Sequence, residues 1–376
     1  MQITPTNEQE EFRGVVRRFL EEKSPTTEVR RLMETAEGHD SAIWRQLSED
    51  LGLPALQIPE AYGGQGFGYV ELCIVMEEAG RALLCAPLFS SVVLAANAIL
   101  EGASETQKKE LLPGIASGEV IATVALAEAD GRWSASGVAT TAEPDNGAFR
   151  LDGEKCYVLD GHSANLIVVV ARAPGSSGDD GISLFAVEGD AKGLVREPLT
   201  TVDQTRKQSR LYFSGVRAEL LGEAGAAAPA VARTLDLAAI ALASENVGAA
   251  QKVLEDSVEY AKTRVQFGRP IGSFQAIKHK CADMLLDVEL ARSAASYAAA
   301  AAAEGSDEVP ALASLAKAFS SDVFFRAARD SIQIHGGVGF TWEHDMHLYF
   351  KRAKSSEVFL GDPAYHRELL AQRLGI

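Results

Sequence analysis

The sequence predicts an α+β fold in which a helical segment, a strand-rich segment and a second helical segment follow one another. Apolar residues recur at helical spacing through the first 120 residues and again from Gly225 onward. Between these segments lie short β-rich runs separated by Asp-Gly and Gly-Ser turn signals. The 376 residues are 47% hydrophobic and 23% charged, as in ordinary globular proteins, and this length accommodates two or three domains.

The first helical segment contains three helices that its apolar periodicity predicts. They are expected over residues 7–22, 41–51 and 69–80, with Ser41 as the N-cap of the second. The run between Tyr62 and Gly66 is too rich in glycine to continue a helix, and it predicts a turn.

The rest of the chain divides into strands and then helices. Strands are predicted over residues 120–127, 148–151, 156–159, 166–171, 183–187 and 210–213. Helices are predicted over residues 229–261, 274–303, 309–335 and 365–373. The alanine run at 298–303 is interpreted as the end of a packed helix, because Ala has the highest helix propensity.

Charge and cysteine content exclude several classes of function. The formal net charge of −16 argues against broad nucleic-acid binding, which needs clustered Lys and Arg. Four widely spaced cysteines without a CxxC pair indicate neither a metal site nor a disulfide framework, and we expect reduced, mostly buried thiols. The longest aliphatic run, 237–243, is far shorter than the roughly 18 residues of a membrane span, so a cytoplasmic protein is expected.

Several motifs occur together and in a definite order. They are PEAYGG at 59–64, RVQFGRPIGSFQ at 264–275, DMLLDVELAR at 283–292, AKA at 316–318 and QIHGGVGF at 333–340. In order and spacing they resemble the acyl-CoA dehydrogenase family, and the resemblance covers the whole chain.

The resemblance implies an N-terminal helical domain over residues 1–119, a middle β-barrel over 120–222 and a C-terminal four-helix bundle over 223–376. It also implies FAD between the barrel and the bundles of two subunits, in dimers or pairs of dimers. The implied reaction is α,β-desaturation of an acyl-CoA thioester, as in β-oxidation of a fatty acid or a steroid side chain. A carboxylate removes the α-proton, a hydride passes to the flavin, and an electron-transfer flavoprotein reoxidises the cofactor.

The same resemblance implies which residues bind the cofactor. Those that would reach the FAD of a neighbouring subunit are Arg264, Gln266, Phe267, Gln333, Gly336 and Gly337. A permanently charged guanidinium suits a pyrophosphate, and paired glycines let the backbone approach a ligand closely. His335 in the same turn is expected to be structural, because no second group is paired with it.

Two departures from the family fall on the part of the site that a subunit provides for its own flavin ring. A family stretch of the type Thr-Glu-Pro-x-x-Gly-Ser supplies hydroxyl and backbone contacts, whereas residues 127–133 read AEADGRW and lack that hydroxyl. The family's Trp-x-Thr pattern is replaced by Tyr157-Val158-Leu159. Tyr157 keeps an aromatic wall, but Leu159 cannot form a hydrogen bond.

The catalytic base is also absent from its usual positions. Most family members place a Glu where this chain has Leu360, and a minority place it where this chain has Ala238. The family arginine that contacts CoA falls on Ala239. Glu245 and Asp362 are weak substitutes. Glu245 lies two helical turns, or about 10 Å, beyond Ala238, and Asp362 before a proline is a typical helix cap.

These matches and losses favour a non-catalytic, β-type subunit of a heteromeric acyl-CoA dehydrogenase, working beside a homologous chain that carries the Glu. Two alternatives stay open. One is a self-sufficient homo-oligomeric dehydrogenase that uses Glu245 or Asp362, and the other is a scaffold subunit without flavin. An oxidase or monooxygenase on the same fold is a smaller possibility. The acyl group of the substrate cannot be read from the sequence.

Overall fold

A computed structural model describes residues 4–376 of the protein. The chain forms two compact units. The helical unit comprises the residues up to Arg31 with Tyr69–Leu84 and Ala239–Ile376. The barrel unit comprises Leu32–Gly68 and Cys85–Ala238. The division between the units falls within one long helix, Ala228–Thr263.

All seven predicted helices form, and residues 4–376 contain further helices that were not predicted. The helices are α1 (Asn7–Lys23), α2 (Thr26–Met33), α3 (Ser41–Glu49), α4 (Tyr69–Arg81), α5 (Asn97–Gly102), α6 (Glu105–Ala116), α7 (Ala228–Thr263), α8 (Gln275–Ala303), α9 (Val309–His335), α10 (Met346–Val358) and α11 (Pro363–Leu374). A π-helical segment, Phe89–Ala96, leads into α5. Helices α2, α5, α6 and α10 were not predicted. Helices α2 and α5 are short, and charged or polar residues interrupt the apolar side chains of α6 and α10.

The prediction that Ser41 caps α3 is wrong by one residue. Asp40 has an extended backbone, and its carboxylate accepts hydrogen bonds from the amides of Ala42 (2.8 Å) and Ile43 (3.2 Å). An Asp at this position satisfies two amides that the first helical turn leaves free, so Ser41 becomes the first helical residue.

The middle segment forms a mixed sheet. Its strands are β1 (Ala122–Ala125), β2 (Thr141–Asp145), β3 (Ala148–Leu159), β4 (Leu166–Arg172), β5 (Ile182–Glu188), β6 (Leu194–Pro198) and β7 (Gln208–Leu221). The predicted strands at 148–151 and 156–159 are one strand, β3, whose pairing with β7 shifts register twice. Strands β2 and β6 were not predicted, because both are short, polar and contain proline.

Five of these strands close into a barrel. In sequence of pairing they are β2, β3, β7, β5 and β4, and β4 pairs back with β2 at Thr141 and Arg172. Strand β1 joins the ring beside β4, and β6 joins it beside β7. Apolar side chains fill the interior, where Phe149 and Phe185 have ring centroids 5.1 Å apart. The predicted β-barrel is therefore confirmed.

The C-terminal bundle is built around α9, which packs against α8, α10 and α11. Side chains of α7 reach α9 through hydrogen bonds from Asn246 to Ser320 (3.4 Å) and from Ser257 to Ser331 (2.8 Å). The fourth segment of the predicted four-helix bundle is divided into α10 and α11. The division lies at residues 359–362, where the family carries its usual base.

Three of the four cysteines are buried and Cys281 is half-buried, and all four are free thiols as predicted. Across residues 4–376, none of the helices combines the length and the apolar character needed to cross a bilayer.

Candidate functional site

The segment that follows α7 is a small hairpin that protrudes from the helical unit. Strand β8 (Val265–Gln266) pairs with β9 (Arg269–Pro270), and the two residues between them have positive φ angles, 54° at Phe267 and 76° at Gly268. Two successive left-handed residues are typical of the tight turns that match the twist of a two-stranded hairpin. The amide of Ile271 closes the base of the hairpin on the carbonyl of Arg264 at 2.8 Å.

The hairpin exposes the side chains that the motif singled out. Arg264 and Gln266 are exposed, and Phe267 is 90% exposed. The Arg269 guanidinium lies over the ring of Phe274 at 4.0 Å, and the Phe267 ring meets Phe274 edge-on at 6.1 Å. These contacts fix the hairpin while they leave its outer surface free.

The end of α9 forms a second exposed turn. Gln333 is exposed on the last helical turn, and Gly336 follows with a φ of 66°. A Cβ atom added at Gly336 or Gly337 would meet no other atom within 4 Å. The backbone of this turn therefore borders open space and can be approached closely by a ligand.

Tyr260 and His335 join these two segments. Their ring centroids are 4.3 Å apart, and the Tyr260 hydroxyl donates to the His335 carbonyl at 3.4 Å. Tyr260 lies on the last turn of α7, where its carbonyl accepts the amide of Arg264. The six predicted cofactor residues therefore lie at one end of the helical unit.

His335 has a packing role in this arrangement. Its Nδ1 lies 2.8 Å from the Ser331 carbonyl, and its ring also packs on His344 at 4.5 Å. Burial lowers the pKa of His335 below its usual value, and the neighbouring His344 acts in the same direction. The neutral ring is thus favoured, which agrees with the structural role expected for it.

This surface has the chemistry that a flavin dinucleotide requires. Arg264 presents a permanently charged guanidinium, Gln266 and Gln333 present exposed amides, and Gly336–Gly337 leave space for a planar group. The residues present fit a dinucleotide.

In the barrel, the loop that in the family would serve a subunit's own flavin ring is held by a largely buried ion pair. One oxygen of Glu128 accepts hydrogen bonds from Lys155 Nζ and the amide of Ala139, both at 2.9 Å, and from the amide and hydroxyl of Thr140, both at 2.8 Å. Burial opposes ionisation of Glu128, but Lys155 and the backbone donors outweigh it, so the pKa of the carboxyl is lowered. Burial lowers the pKa of Lys155 to about 8.

Glu128 and Lys155 thus hold the loop that begins at Ala127 against strand β3, but they add no donor in place of the lost hydroxyl. Arg132 in this loop pairs with Asp130 at 2.5 Å, and Leu159 is buried. Tyr157 is 38% exposed with a φ of 59°, so its ring remains available as a wall. Side-chain donors for a flavin ring are absent at the family positions 127 and 159 of the described chain.

The family base position, Leu360, lies in the turn between α10 and α11. Leu360 has a φ of 60° and is 3% exposed, and its carbonyl accepts a hydrogen bond from His366 Nε2 at 3.0 Å. Ala238 and Ala239 on α7 are buried. These positions offer only apolar side chains, so none of them can accept a proton.

The two substitute carboxylates have other partners. Glu245 is buried and accepts a hydrogen bond from Arg352 of α10 at 2.7 Å. Asp362 accepts the amide of Tyr365 at 2.7 Å and caps α11, as the Asp-Pro sequence predicted. Sequence analysis missed the partner of Glu245, because Arg352 lies 107 residues away with no local signal to link them.

Comparison with known proteins identifies this fold. Family models match the acyl-CoA dehydrogenase N-terminal domain over residues 6–119, the middle domain over 123–216 and the C-terminal domain over 228–375. The chain belongs to the acyl-CoA dehydrogenase family. The fold class, the oxidoreductase class and FAD as the cofactor are thereby confirmed.

Individual relatives cover nearly the whole chain. Acyl-CoA dehydrogenase IpdE2 of Mycobacterium tuberculosis is 35% identical over 371 residues, which is 98% of this chain and 96% of that protein. Butyryl-CoA dehydrogenase from Megasphaera elsdenii has a TM-score of 0.93 at 29% identity and covers 100% of both chains. The ChsE4-ChsE5 complex from Mycobacterium tuberculosis has a TM-score of 0.89 at 28% identity, with 100% of this chain and 99% of that chain covered.

Proposed function

We propose that this acyl-CoA dehydrogenase chain is the non-catalytic subunit of a heteromeric, FAD-dependent enzyme. It completes the dinucleotide site of a homologous partner, and the partner supplies the base that desaturates the acyl-CoA thioester. The observation that carries the proposal is the loss of a carboxylate at both family positions, Leu360 and Ala238, in a fold that is otherwise complete.

The Glu245–Arg352 pair argues against self-sufficient catalysis through Glu245. Both side chains are almost fully buried, and their 2.7 Å hydrogen bond joins α7 to α10. A general base needs an oxygen within hydrogen-bond reach of the substrate proton. Breaking a buried ion pair by moving one partner costs several kcal/mol, about 3–5 by mutational measures. Glu245 is therefore better explained as part of the bundle.

Asp362 is also occupied by a structural role. Its carboxylate accepts the amide of Tyr365 in the first turn of α11, and removal of such a cap typically costs about 1 kcal/mol. It precedes Pro363, which fixes the backbone at the helix start. A proton acceptor at this position would have to give up the cap.

Some of the family's cofactor-binding positions are retained in this chain and others are lost, and this division supports a site shared with a partner subunit. Arg264, Gln266, Phe267 and the Gly336–Gly337 turn are those that the family lends to a neighbouring subunit, and they are exposed on this chain. The positions that serve a subunit's own flavin ring are Ala127 and Leu159. In this proposal Arg264 binds the pyrophosphate and the glycine turn admits the adenine end. FAD, when bound, supplies the hydride acceptor.

Two solved structures of similar fold support such an assembly. One is the ChsE4-ChsE5 complex, whose name gives two different chains, and the other concerns an electron-transferring flavoprotein of Acidaminococcus fermentans. By analogy we propose a heterotetramer with a homologous subunit and an electron-transfer flavoprotein as the acceptor. The proposed substrate is a fatty acyl or steroid side-chain CoA thioester.

Purification alone and together with a co-encoded homologue tests this function. We expect the isolated chain to show no turnover and substoichiometric FAD, and the co-expressed pair to bind FAD and desaturate acyl-CoA. Arg264→Gln in this chain should reduce FAD occupancy of the complex, whereas Arg150→Gln on the barrel surface should not. Full FAD occupancy and turnover by this polypeptide alone would refute the proposal in favour of the homo-oligomeric enzyme. A complex that turns over while this chain contributes nothing to FAD binding would instead favour the scaffold.

A further inference from the structure

The turn between α10 and α11 keeps its shape through contacts that do not involve the side chain of residue 360. On one side stands Lys317, in the middle of α9 and 0% exposed. Its ammonium donates to the carbonyls of Ser356 (3.1 Å), Glu357 (2.8 Å) and Gly361 (2.6 Å). Two of these carbonyls belong to the last turn of α10, where a helix leaves its carbonyls free and carries partial negative charge.

On the other side the turn is held by α11. His366 Nε2 donates to the Leu360 carbonyl at 3.0 Å, and the Asp362 cap fixes the start of the helix. Gly361 has a φ of 101°, and a Cβ atom there would approach the Tyr365 ring to 2.3 Å. Backbone groups on both sides of residue 360 are thus fixed.

Leu360 itself adopts a conformation that leucine does not favour. Its φ of 60° lies in the left-handed region, where residues without glycine's freedom are strained. Such a conformation persists only where the surroundings impose it, and strained backbone of this kind is concentrated at functional sites. Lys317 and His366 are the surrounding groups that impose it here.

We infer that Lys317 is a positioning residue. The turn that it holds has the backbone shape that would place a base at position 360, and only the leucine side chain lacks the carboxylate. The inference rests on the proposed function, since it explains why a chain without a base retains the buried ammonium and the strained backbone. A buried ammonium is costly unless its donors are satisfied, so three carbonyls on one amine indicate a specific clamp.

The chemistry that this turn would support can be tested without redox turnover. A carboxylate at residue 360 would take the α-proton of a thioester, and the C–H electron pair would remain on the thioester as an enolate. In D2O the carboxyl exchanges its proton for a deuteron and returns it, so a C–H bond is broken and a C–D bond forms. No oxidant is needed, and the state of the flavin does not affect the balance.

The experiment compares the Leu360→Glu, Leu360→Gln and wild-type chains in complex with a homologous partner whose own base Glu is changed to Gln, so that exchange by the partner does not mask exchange at residue 360. Each is incubated in D2O with butyryl-CoA, octanoyl-CoA and a steroid side-chain CoA thioester, and α-deuteration is followed by mass spectrometry. We expect Leu360→Glu to raise exchange at least about tenfold above Leu360→Gln on one of these thioesters, because a positioned general base contributes 10²–10⁴-fold. Adding Lys317→Met should lower that gain about tenfold or more, since small displacements of a base are costly.

A purely structural Lys317 would lower the amount of folded complex without changing the exchange rate per folded chain or its pH profile. Should Lys317→Met prevent folding, His366→Leu combined with Leu360→Glu gives the same comparison, because leucine removes the N–H donor to the Leu360 carbonyl. A folded Leu360→Glu chain without exchange, whether or not it binds the thioester, would overturn the inference, and so would exchange unaffected by both clamp variants. Exchange by the wild-type chain alone would refute the proposed function instead, so the two failures can be told apart.

Discussion

Glu245 illustrates how a carboxylate near the expected position can be committed to packing. We expect Glu245→Gln to lower the free energy of unfolding by about 3–5 kcal/mol, because it removes the negative charge that pairs with the buried Arg352 guanidinium. Glu245→Leu combined with Arg352→Met should recover most of that loss, since apolar pairs of similar volume often replace buried ion pairs without cost. Urea unfolding checks both variants. If the folded double variant binds FAD with the partner but loses turnover, Glu245 is catalytic.

His366, which holds the turn between α10 and α11, makes the free energy of unfolding depend on pH. Burial, with the charge of Lys317 as the next cause, lowers the pKa of His366 to about 4 from its usual 6.5. Between these values the unfolded chain binds a proton that the folded chain does not, so stability falls as the pH falls from 6.5 to 4. The loss attributable to His366 is up to about 3 kcal/mol.

The prediction for His366 is tested by comparing unfolding free energies at pH 7 and pH 5. His366→Gln keeps an N–H donor for the Leu360 carbonyl but does not titrate, so its stability should depend less on pH than that of the wild type. The exposed His279→Gln variant is the control and should follow the wild type. Equal pH dependence in all three chains would show that His366 does not titrate as its burial requires.

Among the secondary-structure elements, long periodic helices could be predicted from sequence and polar edge strands could not. Helix α9 occupies the predicted range, Val309–His335, because its apolar face repeats over many turns. Strands β2 and β6 gain their order from pairing with β3 and β7, which no local pattern records. The candidate site was predictable where a motif carries it, as in the β8–β9 hairpin. The partners of Glu245 and Lys317 come from distant helices and were not predictable.

We expect the composition of the β8–β9 hairpin to serve cofactor binding more than folding. Phe267 is 90% exposed, so we expect Phe267→Ala to change the free energy of unfolding by less than about 0.5 kcal/mol. The same variant should lower the FAD content of the purified heteromeric complex, measured from flavin absorbance per protein. Val202→Ala, at an exposed position of the barrel unit, is the matched control and should leave FAD content unchanged. A large loss of stability with normal FAD content would assign the hairpin a folding role.

In the whole chain, the contacts that build the fold are retained, whereas the side chain that would act as the base is not. The barrel closes and the bundle packs, whereas the two positions where the family carries its base, Leu360 and Ala238, have apolar side chains. Side-chain packing and backbone hydrogen bonds stabilise the chain whether or not it catalyses a reaction. A subunit can therefore lose a base and keep its assembly surface, which is the combination that the proposed function requires.

We expect the assembly surface to include one face of α8. Leu286 and Leu290 lie one helical turn apart and are 61% and 50% exposed. Beside them an open groove of about 600 Å³ runs between α7 and α8 and is lined by Leu254, Val258 and Leu285. Exposed apolar side chains in such a cluster are typical of surfaces that are covered by a partner.

We therefore expect Leu286→Lys combined with Leu290→Lys to weaken association with the partner subunit by at least about 100-fold, because each unpaired charge placed in an apolar interface is costly to bury. The variant chain should fold normally, since neither leucine is buried in the isolated subunit. Leu374→Lys changes a similarly exposed leucine on α11 and should assemble as the wild type does.

Light scattering after size exclusion measures the assembly, and flavin absorbance measures its FAD content. Because the proposed site needs groups from both chains, FAD should be lost together with the complex. A double variant that still assembles would place the partner elsewhere, and one that stays monomeric yet keeps FAD would show that a single chain suffices for the cofactor.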